Sequence, residues 1–416
     1  IGMEKLYRDA KILVDRSIRE NMPQAAVDNA LRNHAFTGTV YALAIGKAAW
    51  TMAKAAGETL GDRIKKGIVI TKYGHAAGPV PGFDIYEAGH PLSDENTIAA
   101  TGKAIELAQS LKDGDELLFL ISGGGSALFE KPLPGLGLSD IVDINNQLLA
   151  SGADIVEINM IRKRLSAVKA GRFARLCAPA KVFTVVLSDV LGDRLDSIAS
   201  GPAAPDLSTV QDALKVAEKY GLRLNGKRDY LLEETPKSLD NVETVITGSV
   251  RTLCESAAGI AAELGYTPHI LTTDMNCEAR EAGRLIASIA KQINCGAYSV
   301  KAPCAVILGG ETVVHLKGKG RGGRNQELAL AAAGGIAGLE NLLVLSFGSD
   351  GTDGPTDAAG AWVDGSTLGR LGEKGLSLEA VLDDNDAYSA LDALNALIKT
   401  GPTGTNVNDI SVILSA

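Results

Sequence analysis

Lys47 stands directly after the apolar run Tyr41–Ile45, in Ile45-Gly46-Lys47-Ala48-Ala49. A lysine at the C-terminal end of a strand points into the crevice where open α/β sheets hold ligands. There it can serve as a point cation on a transferring phosphate. The plain alternative is a lysine snorkelling at a helix start. Two glycine-rich loops add backbone donors. Ser122-Gly123-Gly124-Gly125-Ser126 follows the run Glu116–Ile121. Gly318-Lys319-Gly320-Arg321-Gly322-Gly323-Arg324-Asn325 lies between Thr312–Leu316 and a helical stretch from Gln326. Glycines let N–H groups approach a ligand closely, and a following helix start adds positive potential, which suits phosphate. Arg321 and Arg324 add planar forks for phosphate or carboxylate oxygens. Tight packing turns and a solvated hairpin tip are the competing explanations.

Carboxylates complete the set. Asp189 ends the apolar run Val182–Ser188, in Ser188-Asp189-Val190-Leu191-Gly192-Asp193. An acid there can act as general base or magnesium ligand, where the alternative is a helix cap. Glu311 follows Leu308-Gly309-Gly310, and the loop Gly348–Asp357 offers Asp350, Asp353 and Asp357. Oxygen ligands on a Gly/Pro loop can hold a divalent cation, although the spacing is not an EF-hand and Asx turns explain such loops too. His90, in His90-Pro91-Leu92-Ser93-Asp94, sits ahead of a helix cap and is a secondary candidate. Arg162, Lys163, Arg164, Lys169 and Arg172 fall on a predicted helix and read as a solvated face, some of which can line the crevice.

The elements that must position these residues alternate along the chain. Hydrophobic patterning predicts strands at 40–45, 67–71, 84–87, 116–121, 182–188, 242–247, 269–272, 305–308, 312–316, 342–347 and 410–414. Predicted helices cover the opening stretch, 97–111, 252–264 and 279–293. Near-continuous Val/Ile/Leu runs are those of sheets covered on both faces. The expected fold is α/β, with two Rossmann-like doubly wound domains, mainly parallel sheets and an interdomain active-site cleft. At 416 residues two domains are expected, and the polar segment 206–241 places the break between 1–235 and 236–416.

A net charge of −9 argues against a nucleic-acid partner, while leaving room for a local basic site. The five cysteines, Cys177, Cys254, Cys277, Cys295 and Cys304, have no C-x-x-C spacing and read as free thiols of a reducing compartment. No apolar run reaches a membrane span and no signal peptide is evident, so a cytoplasmic protein without a membrane partner is expected. Ile1-Gly2 ahead of Met3 reads as an expression remnant.

Gly318, Gly320 and Gly323 also match a dinucleotide fingerprint, but no ribose-binding acid follows at the usual distance. A Walker A loop is absent, since Arg228 stands where Gly221–Lys227 would need Ser or Thr. Taken in order along the chain, Ala44–Ala48, His90–Asp94, Ser122–Leu128, Asn159–Ser166, Ser188–Asp193, Gly309–Thr312, Gly320–Glu327 and Ser349–Gly354 together resemble the glycerate 2-kinases whose C-terminal part is called the MOFRL domain. The resemblance implies ATP-dependent, magnesium-dependent phosphorylation of D-glycerate at its 2-hydroxyl, with two domains enclosing the site. It places catalytic weight on Lys47, Asp189 and Arg324. Beside it, Ser122, Gly123, Gly124, Gly125, Ser126, Arg321 and Asn325 are expected to bind phosphate or substrate. Glu311, Asp350 and Asp353 are expected at the metal, and a homodimer is expected in solution. The rivals are an NAD(P)H-dependent hydroxypyruvate reductase and a non-catalytic sugar-acid binding protein.

Overall fold

Six runs of apolar residues pair into the first of two sheets: β1 Thr39–Ile45, β2 Ile64–Lys72, β3 Phe83–Ala88, β4 Asp115–Ile121, β5 Lys181–Leu187 and β6 Val242–Gly248. They stand in the order β3-β2-β1-β4-β5-β6 in a computed structural model that describes residues 2–296 and 299–416. Ile1, half of the expected expression remnant, lies outside the described residues. The pairings β3-β2, β2-β1, β1-β4 and β4-β5 are all parallel. β4 is buried along six consecutive residues, because helices such as Ala49–Leu60 and Glu95–Ser110 cover its sheet. The strand order turns back between β1 and β4, so their C-terminal ends open a crevice at the topological switch point.

The second sheet contains β7 Thr267–Met275, β8 Cys304–Gly310, β9 Leu342–Gly348, β10 Gly360–Asp364, β11 Leu397–Ile398 and β12 Asp409–Ser415, in the order β11-β10-β9-β12-β8-β7. β7, β8, β9 and β11 share one direction; β10 and β12 run against them. Fold class and sheet number are as expected, but here the parallel strands β8 and β9 are separated by an opposed one. Thr312–Leu316, expected as a strand, is extended chain with a single bridge, Glu278 to Val313. β12 and β7 already occupy both edges of β8, and this segment lies beyond its end.

By packing, the chain falls into two units. Ala26–Ser188 and Asp193–Thr247 form the β1–β6 unit; the stretch through Ala25, Asp189–Gly192 and Gly248–Ala416 form the β7–β12 unit. The expected break at 235 moves to 247, because β6 completes the first sheet. The N-terminal helix Gly2–Glu20 joins the second unit, where Arg16 pairs with Glu263 and the following Asn21 bonds Ser256. All five cysteines are free thiols. No helix among the described residues is long and apolar enough to cross a membrane.

The cation run from Arg162 to Arg172 is not a solvated face. Arg164 and Lys169 are 0% exposed, and Lys163 and Arg172 are 4% exposed. Each has found oxygen. Arg172 Nη1 donates to the carbonyls of Lys163, Arg164 and Ser166, which end the helix Ile155–Leu165. Arg164 donates to the carbonyls of Glu233 and Ser208, and Lys163 sits between Asp196 and Asp206. Buried cations with this many partners fix a loop framework, and removing one leaves carbonyls unsatisfied.

Candidate active site

Two centres collect the chemical candidates, one in each unit. In the β1–β6 unit, Lys47 follows β1 and the loop Ser122–Ser126 follows β4, both at the switch point. The loops are tied together: Lys47 N–H donates to the Gly123 carbonyl at 2.8 Å. The Ser122 hydroxyl donates to Ile45 O and accepts from Ala48 N–H, each at 3.1 Å. Ser122 is therefore a buried clamp, not a phosphate ligand as the sequence reading expected.

The next four residues answer that expectation differently. The N–H groups of Gly123, Gly124, Gly125 and Ser126 have no hydrogen-bond partner among the described residues. Gly124 has φ of +86°, which turns the chain so that the short helix Gly125–Leu128 begins there. The carbonyl side of that turn is held from behind: Lys169 Nζ donates to Ser126 O at 2.7 Å and to Phe129 O at 3.2 Å, and lies 3.5 Å from Glu130. Burial pulls the Lys169 ammonium down to a pKa of about 8, against the pull of Glu130. Fixing the carbonyls behind leaves the amide dipoles in front pre-aligned for an anion.

Lys47 and His90 adjoin this turn. The Nε2 of His90 and the Cγ of Lys47 each come within 3.1 Å of the point a Cβ on Gly124 would occupy. Burial first, then the positive field of Lys47, Lys72 and His75, holds His90 below the ordinary imidazole range. Neither Lys47 nor Lys72 pairs with a carboxylate among the described residues. Such uncompensated charge beside free amides is an anion site. Strained backbone adjoins it: Ala199 and Ser200 have φ of +52° and +60°, and the Ser200 hydroxyl lies 2.9 Å from that of Ser126.

In the β7–β12 unit the second glycine loop does something else. Its amides from 317 to 321 are spent on the turn Asp384–Asp386, while those of 322–324 have no partner among the described residues. Lys317 and Gly318 donate to Asn385 Oδ1, Lys319 to Asp384 Oδ1, Gly320 to Asp384 O and Arg321 to Asp386 Oδ1, over 2.7–3.0 Å. A Cβ on Gly320 would stand 2.6 Å from Asp384 O, so glycine here serves close approach of backbone to backbone. The following helix Arg324–Gly335 is capped from within as well. Asp353 accepts the N–H of Asn325 and Gln326 and both their side-chain amides at 2.9–3.1 Å. This corrects three expectations. The stretch 317–321 is no phosphate cradle, Asp353 is a buried cap rather than a metal ligand, and Asn325 is 2% exposed with its amide committed to Asp353 and Ser346. Arg321 stacks 4.0 Å from the Tyr388 ring centroid, outside the cleft lining. Asp353→Ala is expected to lower stability by about 2–4 kcal/mol, the loss of a helix cap with charge-assisted bonds. Urea unfolding measures it, and a loss under about 1 kcal/mol would show that the helix start has another acceptor.

Arg324 is the centre of the remaining cluster. Nε and Nη2 grip Asp409 Oδ2 and Oδ1, and Nη1 donates to Glu311 Oε1 at 2.9 Å. Three of five guanidinium N–H donors are thus spent and two remain, on a side chain one-third exposed. Asn408 Nδ2, 3.1 Å from both, links Glu311 Oε2 to the carbonyl of Asp189. Asp189 and Arg324 therefore share one frame, through Asn408 and Glu311. Asn408 and Asp409 were missed; the only signal was a polar cluster, Asn406–Asp409, opening an apolar strand. Burial pushes the Asp409 carboxyl up to about 6 despite Arg324. No three acidic, His or Cys side chains converge as a metal cage among the described residues. Glu311 has both oxygens engaged; Asp350, half-buried, bonds only Thr352 N–H through Oδ1.

Residues 9–231 match the family described as a domain of unknown function, DUF4147, and residues 304–409 match the MOFRL family. The chain is 54% identical to the D-glycerate 2-kinase of Thermotoga maritima, across 96% of this chain and 94% of that protein. It is 40% identical to the glycerate 2-kinase of Pyrococcus horikoshii, across 97% and 96%. The crystal structure of a glycerate kinase from Thermotoga maritima superposes with a TM-score of 0.96 at 53% identity, covering 99% of this chain and all of that one.

Proposed function

This chain belongs to the MOFRL family of glycerate 2-kinases, and on that premise we propose that it transfers the γ-phosphoryl group of ATP to the 2-hydroxyl of D-glycerate. The observation that carries the reading is the anion site of the β1–β6 unit: four successive free amides, 123–126, with the Lys47 side chain packed against Gly124. Phosphoryl transfer asks a protein chiefly for positioning and for compensation of charge. The amides and Lys47 hold the anionic group and neutralise its oxygens. The two free donors of Arg324 take phosphoryl oxygens. Asp189, its backbone held by Asn408, orients the glycerate hydroxyl and accepts its proton. Magnesium, when bound, neutralises the nucleotide phosphates; Asp350 fits as one protein ligand, in keeping with an ion that leans on phosphates and water. The reading places the enzyme in the cytoplasm.

The reductase alternative needs a cradle for pyrophosphate at the glycine fingerprint. There the amides of 317–321 are already satisfied by Asp384–Asp386, and those of Asn325 and Gln326 by Asp353. A binding protein without turnover has no use for a frame that ties Asp189 to Arg324 through Asn408 and Glu311. The assay couples ATP, magnesium and D-glycerate to enolase, which accepts only the 2-phosphate. Signal without phosphoglycerate mutase is the expected result. ADP release with no enolase signal would move the transfer to another hydroxyl or acceptor. Oxidation of NADH by hydroxypyruvate in place of either would replace the kinase with the reductase.

A further inference from the structure

Beyond Arg324, the β7–β12 unit holds a cleft of about 980 Å³, within the range of small-molecule sites. Its character is opposite to that of the Lys47 site. Leu191, Val313, Val314, Leu316, Pro355 and Ala387 give it apolar walls. Leu316 is 81% exposed and Val313 52% exposed, so apolar surface faces water with nothing of the protein over it. One side is floored by the backbone of Gly318, Gly320, Gly322 and Gly323, which is held from behind by Asp384, Asp386 and Asp353. Along the wall, the chain that failed to become a strand is extended and unpaired. The N–H and C=O groups of Val314 and Leu316 have no hydrogen-bond partner among the described residues. Only Val313, through its bridge to Cys277 and Ala279, and the His315 carbonyl, which accepts from Asn385, are engaged.

A backbone edge with alternating free donors and acceptors between apolar side chains matches the edge and faces of a purine: edge atoms hydrogen-bond to the backbone while the ring covers apolar side chains. Water serves these groups in the open cleft, and a ligand with a matching edge can replace it. Arg324, which keeps two free donors beside its pairing with Asp409 and Glu311, and Lys319 line the same cleft. Donors for phosphate oxygens and an apolar wall for a base are thus found together. The Lys47 site, with its four free amides, suits a small anion.

We infer that the cleft lined by Val313–Leu316 and the 318–323 loop receives the nucleoside part of a purine nucleotide, its base read by the free backbone of Val314 and Leu316 and its phosphates directed toward Arg324. This rests on the kinase reading and assigns the nucleotide to one of its two centres. Hydrogen exchange on the wild-type protein tests it directly. Added ADP is expected to slow exchange in peptides spanning 313–318, whereas D-glycerate alone slows it at 123–126 and not there. Protection by ADP confined to 123–126, or absent from both segments, overturns the assignment. A single substitution gives a second readout. Leu316→Asp, at an exposed position the fold does not need, is expected to raise KM for ATP at least about tenfold and leave KM for glycerate within about twofold. An unchanged KM for ATP also overturns it. The enolase-coupled assay keeps the two readings apart. An active kinase without ADP protection at 313–318 loses only this assignment, and ADP protection without glycerate turnover removes only the kinase.

Discussion

Lys47→Ala is expected to lower kcat about 10²–10³-fold, the cost of removing one preorganised charge from a water-poor transition state. The fold should survive, because the backbone of Lys47 and not its ammonium makes the structural contacts. Its N–H binds Gly123 O, and its carbonyl accepts from Thr71 and lies 3.1 Å from His75 Nδ1. Stability should change by no more than about 0.5 kcal/mol. A spectroscopic readout accompanies the kinetic one. His90 is held low by burial and then by the charge of Lys47, so its pKa should rise in the variant, observable by NMR titration. Near-normal turnover with a shifted His90 would leave Lys47 as part of the local field and remove it from the reaction. If KM for glycerate rose with kcat unchanged, Lys47 would bind the substrate carboxylate uniformly instead of the transferring group.

How far this site could be read in advance depends on how local its logic is. β1 and β4 were legible because each is an unbroken apolar run, and their crossing order puts Lys47 and Gly123–Ser126 at one crevice without further information. The second glycine loop misled for the opposite reason. Its composition is that of a phosphate loop, but its amides from 317 to 321 are consumed by Asp384–Asp386, some sixty residues away. Asp353 likewise looked like a cation ligand until the helix at Arg324 was found to need its carboxylate as a cap. Arg164, Lys169 and Arg172 read as solvated because their partners are backbone carbonyls, which leave no trace in side-chain patterning. β10 and β11 were missed for want of alternation, one being five residues and the other two. Thr312–Leu316 has the apolar content of a strand, and only the sheet's own occupancy leaves it unpaired. Local preference fails there beside the cleft, which is where a ligand can supply the missing partner.

Asp409 shows the same limit from the other side, since nothing about an acid at the first residue of a strand announces a role. In the fold β12 lies beside β8, and this sets Asp409 against Nε and Nη2 of Arg324 while Glu311 takes Nη1. A guanidinium held at three donors has little freedom, so Asp409 is a positioning residue for the two donors left. Asp409→Asn is expected to lower kcat about 10–10²-fold at pH 7.5, the scale of a misplaced catalytic group. The pH profile separates positioning from mere packing. With the carboxyl pushed up to about 6, wild-type Asp409 gains a proton as pH falls through 6 and loosens its hold, so kcat should decline there. The asparagine is neutral throughout, so that part of the acid limb should vanish. Stability runs in the contrary direction. A carboxyl whose folded pKa exceeds its unfolded value near 4 makes the folded state bind the extra proton between about pH 4 and 6. Wild-type stability from this group therefore rises as pH falls through that window and is lowest above it, where the buried group is ionised. Loss of activity on acidification with no matching loss of stability is the signature of Asp409 acting through Arg324. Wild-type turnover by Asp409→Asn from about pH 5.5 to 8 would leave Arg324 positioned by Glu311 alone.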